Sequence, residues 1–386
     1  MLGIALEGGG ARGAYHVGAI KAFTENGYKI DMIAGTSIGA LNAAMIVQGD
    51  IDKLYDLWAN INFSDIFDLE DRKMRDIFSA NIGFDTIKYM SKKVKDALKN
   101  KGMDTQKIRA FIEKNVDEER VRKSDIRFGL VTFNLSDIKG EELFIEDIPE
   151  GKLVDYLMAT SSLPVFKRAK IEDKKYLDGG SYDNCPVEML AKAGCNDVYA
   201  IRTYKRNRIR NYSKILKMDD LDLKMVEPVD SLVNILNFDN KALKEVIYMG
   251  YYDTLKSIKK LDGYRYYINP KEEEFYFNLI LNIKENNIKK IIEFLDIKCE
   301  ENTNIRKVFL EEVIPLLTNK ILKNTINNYK DFILQLTEYI AINEGVERYQ
   351  VYDVEEFLEV TKKKIRLANK SKMDKAAYKL IKSLEI

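Results

Sequence analysis

Short apolar runs that end at glycine, each followed by a segment of helical spacing, set the pattern of the first fifty residues. "LGIAL" (2–6) is apolar and stops at three glycines, and "AYHVGAIKAFTEN" (14–26) repeats apolar residues at intervals of three and four before Gly27. "DMIAG" (31–35) reads as a second buried strand and "ALNAAMIVQG" (40–49) as a second helix. A strand, helix and strand of this length form a βαβ unit, whose right-handed crossover makes the strands parallel. Both strand-to-helix loops then open at one edge of the sheet, where open α/β folds bind their ligands.

Residues 51 to about 124 read as mainly helical, with Trp58 among core-spaced apolar positions. "DIRFGLVTFNLS" (125–136) and "EELFIE" (141–146) alternate as strands, and "KLVDYLMATSSLP" (152–164) is a helix halted before Pro164. "KRAKIEDKKYLDGG" (167–180) predicts a hairpin ending in glycines, "CPVEMLAKAG" (185–194) a short helix with Pro186 in its first turn, and "DVYAI" (197–201) another buried strand. The α/β pattern thus continues to about residue 204. From about residue 270 the texture changes: residues 271–386 hold one proline, Pro315, and one glycine, Gly345, and predict an all-helical region.

Composition narrows the function classes. Hydrophobic residues at 46%, charged residues at 32% and a net charge of +1 describe a globular protein without general attraction to nucleic acid. Three cysteines are too few for a disulfide scaffold, so a reducing, cytoplasmic setting is expected, and neither a signal peptide nor an apolar run of membrane-spanning length is read. The single histidine, His16, excludes a zinc site built on several imidazoles, and no metal or cofactor is expected. The stretch "RTYKRNRIRNYSKILK" (202–217) carries seven basic residues and no acid. It is either a solvated loop or a peripheral contact for anionic lipid headgroups.

The opening loop matches G-x-G-x-x-G through Gly8, Gly10 and Gly13. A dinucleotide site also needs an acid at the end of the second strand, and "AGTSIG" stands there instead. That strand carries G-x-S-x-G, residues 35–39, at a strand-to-helix turn that would push the Ser37 hydroxyl out at the sheet edge; the plainer alternative is a serine capping the helix. A serine nucleophile needs a base, and His16 precedes Ser37 in a helix with apolar neighbours, where a packed role fits better. Asp178, at the end of an apolar strand segment and before two glycines, is the candidate base, unless "DGG" is only a turn. The amides of Gly8, Gly9 and Gly10, with that of Ile38, form a nest for a developing oxyanion. Arg12 either adds positive charge there or anchors the loop.

Together "EGGGARGAYHVGAI", "GTSIGALNAA", "ATSSLPVFKRAKI" and "YLDGGSYDNCPVEML" resemble the patatin-like phospholipase family in motif, order and spacing. The resemblance implies a three-layer α/β sandwich with a central, mostly parallel sheet and a Ser-Asp dyad that hydrolyses lipid acyl esters without histidine or metal. Ser37 is then the nucleophile, Asp178 the base and Gly8 to Gly10 the oxyanion site. Glu7, where many members have Asp or Gly, is expected to leave the backbone donors unharmed. The resemblance extends to about residue 268, implying a hydrolase domain over 1–268 and a helical domain of unassigned role over 271–386, whose helices offer a surface for a second copy or another protein. A catalytically silent lipid-binding or regulatory protein is the rival, with a dinucleotide-binding protein behind it.

Overall fold

The structure is a computed structural model that describes residues 1–61, 63–66, 105–163, 167–205, 209–218, 220–235, 237–300, 302–322 and 325–385. The helical reading of residues 67–104 lies outside the described residues. The chain divides into two compact units, Met1–Ile258 and Lys259–Ile386.

The first unit is built on strands β1 (Leu2–Leu6), β2 (Met32–Thr36), β3 (Arg127–Asn134), β4 (Lys139–Phe144), β5 (Ala169–Ile171), β6 (Lys174–Asp178), β7 (Asp197–Ile201) and β8 (Asp222–Val226). They form one sheet in the order β5-β6-β3-β2-β1-β7-β8, with β4 pairing β3 beside this path. β2, β1, β7 and β8 run parallel with β3, while β4 and β6 are antiparallel to it. The central strands β1 and β2 are buried throughout, as a parallel sheet covered on both faces requires.

Period-two alternation sorts the strand side chains onto two faces. Ala5, Ala34, Val131, Val198 and Ala200 share a cluster with Val187 and Leu190 of helix α8 (Val187–Lys192). Tyr199 points the other way and meets the ring of Phe23 in helix α1 (Ala14–Glu25) edge-on at 4.8 Å. Helices therefore cover both sides, and the expected three layers are present. The remaining helices of the unit are α2 (Ile38–Val47), α3 (Ile51–Asn60), α4 (Phe63–Ile66), α5 (Gln106–Asn115), α6 (Glu118–Lys123), α7 (Leu153–Thr160), α9 (Tyr212–Ile215) and α10 (Asn240–Lys259).

β3 has three partners, and their registers decide where the chemistry sits. β4 takes one edge of β3 from Gly129 to Asn134. The other edge is shared end to end: β2 occupies it up to the pair Thr36–Val131, and β6 begins at the pair Asp178–Thr132. β2 running out and β6 running in thus meet head to head at adjacent positions of one strand.

Helices α1 and α10 cross without room for side chains at the contact. A Cβ on Gly18 would lie 1.9 Å from the Ile247 carbonyl oxygen, and one on Gly250 would lie 2.0 Å from that of Tyr15. The Tyr15 hydroxyl also donates to Asp253 at 2.9 Å, fixing the crossing with a buried hydrogen bond.

The second unit packs helices α11 (Glu273–Leu281), α12 (Glu285–Phe294), α13 (Ile305–Val308), α14 (Ile314–Ile321), α15 (Tyr329–Asn343), α16 (Val354–Lys364) and α17 (Lys372–Ser383) around one apolar cluster that includes Tyr276, Ile291, Phe332, Phe357 and Tyr378. It is not wholly helical: β9 (Tyr267–Ile268) pairs in parallel with β10 (Val351–Tyr352). That pairing places Tyr267 and Ile268 in the second unit, whose start at Lys259 lies about ten residues before the sequence-based boundary at 268. The buried carboxylate of Glu338 accepts from the backbone amides of Tyr264, Arg265 and Tyr266, which explains why the segment before β9 belongs with these helices.

The α1–α10 crossing generates a test. Gly18→Ala should lower the unfolding free energy by about 1–3 kcal/mol, the usual effect of overpacking, in urea melts followed by circular dichroism. A variant as stable as the parent would show that the two helices do not approach this closely.

Candidate active site

The turn after β2 carries the first functional side chain. Ser37 has φ 55° and ψ −124°, a conformation that non-glycine residues adopt at a cost of about 1–3 kcal/mol. Two features hold it there. The Ser37 amide donates to the Thr160 hydroxyl at 2.9 Å, and that hydroxyl donates to the Val131 carbonyl at 2.5 Å. Gly39, in the first turn of α2, lies so close to β1 that a Cβ would stand 2.3 Å from the Leu6 carbonyl oxygen, so the turn closes only with glycine there. The Ser37 side chain makes no capping hydrogen bond to α2, so the capping alternative is not realised. Thr160 lies in the "ATSS" segment quoted for the family resemblance, but its role was not legible without the register of β3.

Asp178 ends β6 with 6% of its surface exposed. Its amide donates to the Ser162 carbonyl at 2.9 Å and its Oδ1 accepts from the Gly180 amide at 2.8 Å, so "DGG" is indeed a turn. The turn also presents the carboxyl to Ser37. Oδ2 has no partner at full hydrogen-bond geometry, yet the Ser37 hydroxyl is near enough to stabilise the ionised carboxyl by hydrogen bonding. A loose contact of this kind is common before substrate binds. Burial is the larger influence and raises the Asp178 pKa above the ordinary carboxylate value, while Ser37 and the Gly180 amide oppose it. A more basic carboxylate is the result.

The glycine loop passes beside the same turn. The Gly8 amide is not free to bind an anion, because it donates to the Asn184 carbonyl at 3.0 Å. This corrects the reading of Gly8 as an oxyanion donor: a tertiary hydrogen bond fixes the loop through that amide. The amides of Gly9, Gly10 and Ile38 have no acceptor among the described residues' hydrogen bonds, and all three residues are partly exposed. Ile38 opens α2, so its amide adds the positive end of the helix dipole.

Arg12 proves to be an anchor. Its Nε donates to the Val233 carbonyl at 2.8 Å, Nη1 reaches that of Thr203 at 3.4 Å, and its guanidinium lies 4.2 Å from the centre of the Tyr204 ring. Glu7, which sequence reasoning treated as incidental, is fully buried and accepts from the Thr203 amide at 2.7 Å, the Tyr204 amide at 3.2 Å and Arg202 Nη2 at 3.1 Å. An acid at the end of a buried strand, directly before a glycine loop, was the available signal. Both residues bind the glycine loop to segment 202–204.

That use of Arg202 also bears on the basic stretch 202–217. Arg210 pairs with Glu142 at 3.1 Å and Lys214 with Glu188 at 3.0 Å, so three of the seven cations are held by carboxylates of the fold. Arg206 and Arg208 lie outside the described residues.

His16 is fully buried in α1. Asn42 Nδ2 lies 3.2 Å from its Nδ1 and 2.9 Å from the Gly13 carbonyl, and Asn42 Oδ1 accepts from Trp58 Nε1 at 3.0 Å. As Asn42 donates, Nδ1 accepts and the ring proton sits on Nε2. Burial lowers the His16 pKa to about 3, so the ring is a neutral packing element.

With this geometry in place, comparison with known proteins is decisive. Residues 4–191 match the family model described as patatin-like phospholipase. These residues, just under half of the chain, carry a patatin-like phospholipase domain. A patatin-like phospholipase domain-containing protein of Caenorhabditis elegans is 25% identical over 282 residues, which cover 71% of this chain and 19% of that protein. Neuropathy target esterase sws of Drosophila persimilis is 57% identical over 44 residues, covering 11% of this chain and 3% of the esterase. The chain thus spans about a fifth or less of the length of these relatives. Among solved structures, VipD from Legionella pneumophila aligns over 99% of this chain and 91% of its own at 15% identity, with a TM-score of 0.38. No described helix of this patatin-like protein is long and apolar enough to cross a membrane.

A second carboxyl beside the patatin-like site yields a pH test. Asp183 is 2% exposed, its Oδ1 accepts from the Cys185 amide at 3.1 Å, and burial pushes its pKa up to about 7. In the unfolded chain an aspartate titrates near ~3.9. Between these values the folded protein keeps a proton that the unfolded chain has released. The group's stabilising contribution is therefore full below about pH 4 and is lost as pH rises through about 7. His16, depressed in the fold, gives a slope of opposite sign below about pH 6.5, so the parent profile is partly flattened. Asp183→Asn should make urea-melt stability climb with pH relative to the parent, by up to about 1.4 kcal/mol per pH unit in this window. Parallel profiles would show that Asp183 titrates normally.

Proposed function

We propose that this protein is a serine acyl hydrolase of the phospholipase A or lysophospholipase type, working through Ser37 and Asp178. The observation that carries the reading is the junction on β3, where Thr36 and Asp178 pair with the neighbouring residues Val131 and Thr132. Ser37 leaves that junction in a strained conformation beside a desolvated carboxyl.

The reaction follows from these groups. Asp178 accepts the hydroxyl proton as Ser37 Oγ attacks an ester carbonyl, forming the new C–O bond while the carbonyl π pair moves onto oxygen. The amides of Gly9, Gly10 and Ile38 hold that oxyanion. Collapse expels the alcohol, which takes the proton from Asp178, and leaves an acyl-serine. Water, deprotonated by the same carboxyl, then bonds to the acyl carbon, the Ser37 Oγ–acyl bond breaks to release the acid, and Ser37 Oγ takes the proton back from Asp178. The lipid part of the reading is supported by a small apolar cavity lined by Ile38, the residue after Ser37, and by Leu41, Met45, Leu54, Trp58 and Phe111. Such a wall suits the hydrocarbon of an acyl chain and offers almost no hydrogen bonds to a polar acid.

Turnover of p-nitrophenyl butyrate and labelling by a fluorophosphonate probe test this. Ser37→Ala should abolish both, and Asp178→Asn should lower kcat by about 10⁴-fold or more without altering the circular dichroism spectrum. Labelling of a residue other than Ser37, or parental turnover by Asp178→Asn, would refute the dyad, and a parent that neither turns over the ester nor takes the label would leave the silent lipid-binding reading in its place.

A further inference from the structure

Two hairpins stand forward of the sheet edge at which Ser37 emerges. β3 passes Val131, its last pairing position with β2, and continues through Asn134 into the turn 135–138 before returning as β4. β6 runs from Lys174 back to Asp178 along the same part of β3, so its turn with β5, residues 172 and 173, is the far end of the second hairpin. The strand from Asp173 to Asp178 spans about 16 Å at the usual extended rise. Both turns therefore project beyond the Ser37 hydroxyl, on the side from which a substrate must arrive.

Their side chains are unusual for turns. Ile138 is 80% exposed and has φ 52°, a left-handed position that hairpin turns reserve for glycine or asparagine and that strains a β-branched residue. Leu135, at the start of the same turn, is also exposed. Neither side chain serves the core. The neighbouring hairpin carries five basic residues, Lys167, Arg168, Lys170, Lys174 and Lys175, against two acids, Glu172 and Asp173, and Lys174 also pairs with Asp137 of the first turn at 2.6 Å. Lys139 is exposed beside Ile138. An apolar tip with the exposed amines of Lys139, Lys170 and Lys175 beside it is complementary to the headgroup layer of an anionic bilayer, where the tip reaches the acyl boundary and the amines meet phosphates.

We propose that the turns 135–139 and 167–175 form the contact of this protein with an anionic lipid surface, with Ile138 entering the headgroup layer and so presenting esters to Ser37. The presentation of esters rests on the acyl hydrolase reading; the contact itself does not. The surface differs from segment 202–217, where Arg202, Arg210 and Lys214 are engaged by Glu7, Glu142 and Glu188.

Co-sedimentation of the full chain carrying Ser37→Ala, with phosphatidylcholine vesicles prepared with and without phosphatidylglycerol, separates these claims. The parent should prefer the anionic vesicles. Adding Ile138→Asp should weaken that binding about tenfold or more, and adding Lys170→Glu should weaken it about fivefold or more. Ile138→Asn is the sharper variant. Asparagine tolerates the left-handed turn, so the melting temperature should hold or rise while vesicle binding falls. In the otherwise unaltered protein, Ile138→Asn should slow hydrolysis of vesicle phospholipid and leave p-nitrophenyl butyrate turnover at the parent rate. Equal vesicle binding by the parent and the Ile138 variants overturns the proposal. Loss of soluble-ester turnover in the parent itself would instead overturn the hydrolase reading, and the binding assay would still stand.

Discussion

The site depends on one strand acting as a template for two others. β3 offers a single edge to β2 and then to β6, and the change of partner falls between Val131 and Thr132. Because the two visiting strands run in opposite directions, the residue after Thr36 and the last residue of β6 are forced together. The Val131 carbonyl also receives the Thr160 hydroxyl that steadies the Ser37 amide. Backbone pairing, rather than any attraction between the two side chains, sets their meeting.

In the proposed reaction this arrangement lets a carboxylate take the place of an imidazole. The Asp178 carboxyl is withdrawn from water, which raises its basicity, and the same withdrawal strengthens every dipole aimed at the proposed oxyanion position. The backbone amides of Gly9, Gly10 and Ile38 need no reorganisation, since Asn184, Arg12 and Glu7 hold the glycine loop from three sides. His16 is neutral within a packed cluster with Asn42 and Trp58. It supports the helices behind the loop.

Much of this was legible locally. The glycines, the G-x-S-x-G turn and "DGG" each announce a backbone conformation, so the strands, the crossover and the two polar side chains could be located by spacing. What the sequence could not display was register. Thr160 acts on Ser37 only because α7 ends over Val131, and Gly8 loses its donor role only because Asn184 returns to meet it. The same limit shifted the domain boundary: Tyr267 and Ile268 read as a closing strand, but their partners, Val351 and Tyr352, lie more than eighty residues onward.

The most direct measurement is a crystal structure of the protein after reaction with an alkyl fluorophosphonate. The account predicts a phosphorus atom bonded to Ser37 Oγ, with one phosphonyl oxygen about 2.7–3.1 Å from the amides of Gly9, Gly10 and Ile38 and the Asp178 carboxyl beside the adduct. An adduct on another residue, or a phosphonyl oxygen turned to solvent with Asp178 swung away from Ser37, would contradict it.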